Sequence, residues 1–168
     1  MSVPADAEWE RVLATWGPAL VRLARAYTST AADADDLMQE ISFALWKALP
    51  GFRHDCAERT FVYRVAHNRA SSWRRAHGRH QRDEVLDDQL VDPAPWADDQ
   101  VHARVRADRL RHAVSRLPRS LQQVVVLRLE GLHDAEIGEI VGITEGNVAV
   151  RLTRARHMLR RQLGGDPT

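Results

Sequence analysis

Residues 134–159, DAEIGEIVGITEGNVAVRLTRARHML, carry two helical patterns broken by Gly142-Ile143-Thr144, and that break constrains the fold more than any other segment. Ile137 and Val141 stand four apart on one face, with Gly138 beside them. A glycine there costs about 1 kcal/mol of helix propensity relative to alanine, but it lets a following helix cross closely. Gly142 turns the chain, Ile143 fills the angle between the helices, and Thr144 is a good N-cap for the second one. In that second helix Val148, Leu152, Ala155 and Leu159 recur at steps of four, three and four, which predicts a buried stripe. Asn147, Val150, Arg151, Arg154 and Arg161 share another side. A long helix with one buried face and one arginine-bearing face fits a major groove. The same spacing also describes an antiparallel helix pair with a solvated basic surface, and the pattern alone leaves both readings open.

The rest of the chain reads as helix too. Leu37, Ile41, Ala44, Leu45, Ala48 and Leu49 form one apolar stripe that stops at Pro50-Gly51. A further helix is expected from about Arg59 to His77, with Phe61, Val62, Val65, Ala66 and Trp73 available for its buried side. No segment shows convincing strand alternation, so the fold class is all-α. The composition then changes: DEVLDDQLVDPAPWADDQ, residues 83–100, has two prolines, dense acid and little periodicity. We therefore expect two small helical domains, residues 1–82 and 101–168, joined by an acidic flexible linker over 83–100. Within the second, Pro118 falls near a helix start, and Gly131 where a left-handed residue should end a helix.

The net charge of +1 averages over segments that differ sharply. Arg59 to Arg82 holds seven arginines and no acid, whereas Asp83 to Gln100 holds seven acids and no base. Of the 24 basic residues only Lys47 is a lysine. Arginine's planar fork suits phosphates and guanine edges, although a GC-rich genome produces the same bias. Cys56 is the sole cysteine, which excludes an internal disulfide framework. No apolar run approaches the roughly 18 residues of a membrane span, and the acidic, tryptophan-containing start does not read as a secretory signal, so the expected location is the cytoplasm without membrane insertion. His77 with His80, and His54 with Cys56, do not complete a zinc set, and no phosphate-cradling loop, paired-carboxylate site or nucleophile elbow appears. The expectation is a non-enzyme with no metal and no cofactor.

Three stretches resemble one family. DADDLMQEISFALWKALPGF (33–52) resembles the core-binding segment of bacterial RNA polymerase sigma factors of the extracytoplasmic-function group, and RTFVYRVAHNRASSWRR (59–75) resembles their next segment. LPRSLQQVVVLRLEGLHDAEIGEIVGITEGNVAVRLTRARHMLRRQL (117–163) is similar to their promoter-reading C-terminal domain. The resemblance implies a transcription initiation factor whose partners are core RNA polymerase and promoter DNA. It also admits an anti-sigma factor, which no motif here identifies. By that analogy Asp36, Gln39 and Glu40 contact the coiled coil of the polymerase's largest subunit. Arg64, Asn68, Arg74 and Arg75 would meet the melted strand of the downstream promoter element. Thr144, Glu145, Asn147, Val150, Arg151 and Arg154 would read the upstream one.

The residues themselves agree in part. Asp36, Gln39 and Glu40 lie off the Leu37/Ile41/Leu45 stripe, and the basic segment interleaves arginines with Phe61, Tyr63 and Trp73, suiting phosphate neutralisation and a stacking ring for an unpaired base, with Phe61 and Trp73 read first as core residues. The acidic linker reads either as a mimic of a phosphate chain or as a tether extended by its own repulsion. Gly146-Asn147-Val148-Ala149-Val150-Arg151 departs from the family's usual Gly-Thr-Val-Lys-Ser-Arg, Ser72 stands for a frequent aspartate, Phe61 for a tryptophan, and His133 for a small hydroxyl residue. A stand-alone helix-turn-helix regulator is the alternative, but it leaves the N-terminal motifs unexplained. A serine recombinase would need a strand-containing catalytic domain.

Overall fold

The computed structural model describes residues 3–77 and 99–164, and every described element is helical. α1 spans Val3–Tyr27, α2 Ala31–Ala48 and α3 Glu58–His77, with a short 3-10 turn at Leu49–Gly51. α4 spans Asp99–Ser115, α5 Arg119–Leu129, α6 Asp134–Val141 and α7 Glu145–Gln162.

The first three helices pack on one another through the stripes their spacing dictates. Leu20, Leu23, Ala24 and Tyr27 of α1, Leu37, Ile41 and Leu45 of α2, and Val62, Ala66, Ala70 and Trp73 of α3 are buried. Thr30 starts α2 by accepting from the Asp33 N–H at 3.0 Å, satisfying one of the orphan donors of a helix N-terminus. Glu58, in the first turn of α3, takes hydrogen bonds from Arg11 and from Trp16 Nε1 at 2.9 Å, tying α3 to α1. Those bonds, led by Arg11, hold its carboxyl below the usual carboxylate range.

α5 is buried nearly all round: Leu121, Gln122, Val124, Val125, Val126 and Leu127 are all inside. Three consecutive valines are poor helix formers, so this helix owes its stability to packing rather than to propensity. It lies against α6 and α7 on one side and α1 on another, while α3 packs on α6. The buried residues of the two halves accordingly form one continuous apolar cluster, in which the halves share a seam rather than standing apart.

The acidic connector expected over 83–100 lies outside the described residues except for Asp99 and Gln100, which open α4 instead. Extending a helix already nucleated by Ala113 and Val114 in the core costs little per residue. Gly131 and Gly142 adopt φ of 78° and 77°, the left-handed conformation expected of residues that end helices. His133 precedes α6, where the Glu136 carboxylate accepts the His133 N–H at 2.8 Å. The glutamate thus supplies half of a capping box and makes up for the missing hydroxyl residue.

Candidate polymerase and promoter surfaces

The turn motif forms as its spacing predicts. Ile137, Ile140, Val148 and Ala155 are buried, Ile143 fills the inter-helix angle half-buried, and Thr144 caps α7 by accepting from the Asn147 N–H at 3.3 Å. On the other side of α7, Glu145, Asn147, Val150 and Arg154 face solvent, and Arg151 is half-exposed. Among the described residues neither Arg151 nor Arg154 has an ion-pair partner within the chain. This gives a rod with an apolar root and a free basic crest, which is what insertion into a groove requires.

α2 presents a second free face. Asp36 and Gln39 are exposed, while Glu40 is half-buried and takes Arg69 of α3 at 2.7 Å. The same face continues to two residues that the sequence reading passed over. Phe43 is 63% exposed and Trp46 51% exposed, and their rings stack at 6.1 Å with 27° between planes. Phe43 stands seven, four and three residues after Asp36, Gln39 and Glu40, and Trp46 seven after Gln39 and three after Phe43, all off the buried stripe, which was the available signal. Two large aromatics left in water beside carboxylates are the composition of a protein-binding hot spot.

The α3 candidates divide. Asn68 and Arg75 are exposed, with Arg75 donating to Ser72 Oγ at 2.9 Å. Arg64 is engaged by Glu139 of α6 at 2.5 Å. Arg74 is half-buried at the seam, where its Nη2 reaches the carbonyls of Ser115 and Leu117, each at 3.4 Å, and its buried Nη1 has no partner. Burial pushes its pKa below the ordinary guanidinium value.

None of the three aromatics of this segment offers a free ring. Trp73 and Tyr63 are buried, and Phe61 stacks on Phe52 at 4.4 Å. Their apolar area is worth more in the core than the stacking role allowed for in the sequence. The described residues gather no group of three or more metal-ligating side chains, and none of their helices is long and apolar enough to cross a membrane.

Residues 12–80 match the family model of sigma-70 region 2, and residues 107–159 that of sigma-70 region 4. The α2 face and α3 lie in the first match, and the turn motif in the second, so the fold and its surfaces define a two-region sigma factor. The extracytoplasmic-function RNA polymerase sigma factor SigM of Mycobacterium tuberculosis is 31% identical over 146 residues, which make up 86% of this chain and 71% of that protein. Two solved structures share the fold. CnrH, in complex with the cytosolic domain of CnrY, superposes with a TM-score of 0.69 at 23% identity, over 96% of this chain and 91% of that one. RpoE of Bartonella quintana, in complex with the anti-sigma factor NepR, gives 0.72 at 21%, over 95% and 99%. The chain belongs to the extracytoplasmic-function group of RNA polymerase sigma factors. It serves with core RNA polymerase to direct promoter-specific transcription initiation.

Proposed function

We propose that the work is divided along the chain. Residues 1–82 hold core polymerase through the α2 face of Asp36, Gln39, Glu40, Phe43 and Trp46, and meet the melted downstream element through Arg64, Asn68, Arg74 and Arg75 of α3. Residues 101–168 read the upstream element through Thr144, Glu145, Asn147, Val150, Arg151 and Arg154. RNA synthesis belongs to the polymerase, this chain contributing no catalysis of its own, and the complex works in the cytoplasm. The observation that carries this reading is the free α2 face: carboxylate, amide and stacked aromatics on the side of the helix opposite its core stripe.

An anti-sigma factor is a further candidate partner. A groove of about 740 Å³ between α5 and α7, lined by Leu129, Leu159 and Leu163 and edged by Arg128, Arg156 and Arg160, suits an acidic amphipathic helix.

Reconstituted transcription from genomic promoter fragments with purified core polymerase tests the division. Asp36→Arg should abolish association with core while leaving duplex promoter binding by the C-terminal half intact. Normal core association by that variant would reject the α2 assignment.

A further inference from the structure

Of the three polar residues on the α2 face, Asp36 and Gln39 stand in solvent, whereas Glu40 is half-buried against α3. There Arg69 Nε donates to Glu40 Oε2 at 2.8 Å, and Arg69 Nη2 lies 2.7 Å from the same oxygen. Among the described residues nothing else hydrogen-bonds to this carboxylate, so Oε1 stays open. An ionised carboxylate has about four acceptor sites, and Arg69 takes up only one side of it.

The bridge joins residues 29 apart in sequence, on two helices already fixed against each other by the core they share. Ala66 and Ala70, flanking Arg69 on α3, are buried, so the arginine springs from an anchored stretch of backbone. The paired side chains themselves remain 45% and 37% exposed. A pair this wet adds little to folding stability. Its effect falls instead on Glu40, whose long side chain would otherwise sample several rotamers and lose that freedom when a partner binds.

We propose that Arg69 is a positioning residue for the polymerase interface: it holds Glu40 by one oxygen, so that the other is presented, already oriented, to a cationic group of core polymerase. The inference rests on the reading of α2 as the polymerase-binding face. It adds a residue of α3, the helix otherwise assigned to the melted strand.

Two effects of Arg69 have opposite signs, which makes the role measurable. Its charge offsets that of Glu40, so its removal leaves the face more acidic and the long-range pull on a basic partner no weaker. Its grip pre-organises Glu40, so its removal makes the bound contact costlier to hold. Charge therefore shows in the association rate, and positioning in the dissociation rate.

The test follows binding of the labelled full chain to purified core polymerase for wild type, Arg69→Met, Arg69→Lys, Glu40→Ala and Glu40→Ala/Arg69→Met. Methionine keeps the apolar stem of the arginine and removes its donors and charge. Thermal melting verifies each fold, and Arg69→Ala replaces the methionine variant if that one does not fold. Arg69→Met should speed dissociation about five- to tenfold without slowing association. Arg69→Lys, which keeps a cation within reach of Glu40, should recover part of that loss. In the Glu40→Ala background Arg69→Met should add less than about twofold, since the group it positions is gone.

Unchanged dissociation of Arg69→Met overturns the proposal, as does an equal loss in the Glu40→Ala background. Tighter binding by Arg69→Met would show that Arg69 only screens Glu40, and overturns it too. A loss confined to promoter opening, with core affinity intact, would give Arg69 to the melted strand and likewise overturn it. If Glu40→Ala binds core as tightly as wild type, the assignment of Glu40 to the polymerase face falls, and the positioning role with it.

Discussion

A Cβ built on Gly138 would stand 2.7 Å from the carbonyl oxygen of Ile143, closer than real Cβ atoms approach. The oxygen belongs to the backbone of the turn, so relief requires the turn itself to move. Gly138→Ala should therefore destabilise the protein by roughly 1 to 3 kcal/mol, despite alanine's better helix propensity. Thermal melting checks this, and a variant more stable than wild type would refute the close packing of α6 on the turn.

Arg151 stands at the edge of the exposed face of α7. If it reads a base bidentately, Arg151→Ala should weaken upstream-element recognition by roughly 1 to 3 kcal/mol and relax sequence preference at that position. Competition between promoter variants in the reconstituted holoenzyme measures this. An unchanged promoter profile removes Arg151 from the reading face.

Phe43 and Trp46 contribute little to the core, being mostly in water. Phe43→Ala/Trp46→Ala should leave the melting temperature nearly unchanged, within about 0.5 kcal/mol. It should weaken binding of core polymerase by about 2 kcal/mol or more. Titration of labelled protein with core polymerase separates the two effects, and undiminished affinity would take the aromatics out of the interface.

His67 is buried beside Tyr27 and Ser71, and burial, aided by Arg119, lowers its pKa from 6.5 to about 4. The Tyr27 hydroxyl, kept protonated by burial, donates to Nδ1 at 3.1 Å; Nε2–H then points to Ser71 Oγ at 3.5 Å, which also accepts from Gln123 across the seam at 3.2 Å. Below pH 6.5 the unfolded chain takes up a proton that the folded one refuses. The resulting stability loss begins near pH 6.5 and levels off near pH 4, with about 2 kcal/mol gone between pH 7 and 5. Urea unfolding across that range should show the slope in wild type and a shallower one in His67→Gln. Equal slopes would show that His67 titrates normally in the folded protein.

Local chemistry made much of this molecule legible in advance. The stripe Leu37/Ile41/Leu45, the close approach at Gly138, the left-handed glycines 131 and 142 and the Thr144 cap each depend on residues within a few positions of one another. Helix geometry converts such spacings directly into faces. The exposed pair Phe43 and Trp46 obeys the same rule, since both stand off the Leu37/Ile41/Leu45 stripe of α2.

The amino-acid order by itself determined the helical patterning, the turn from α6 into α7, and which face of α2 and of α7 would be left in solvent, because hydrogen bonds and side-chain period in a helix are set within a turn or two. Only the tertiary structure decided that Arg64 would meet Glu139, that Arg22 and Tyr63 would converge on Glu130, and that Arg74 would be half-buried rather than free. Those pairings join positions tens of residues apart across a seam whose geometry follows from how whole helices pack, and no periodicity along the chain encodes which distant charge a given arginine will face.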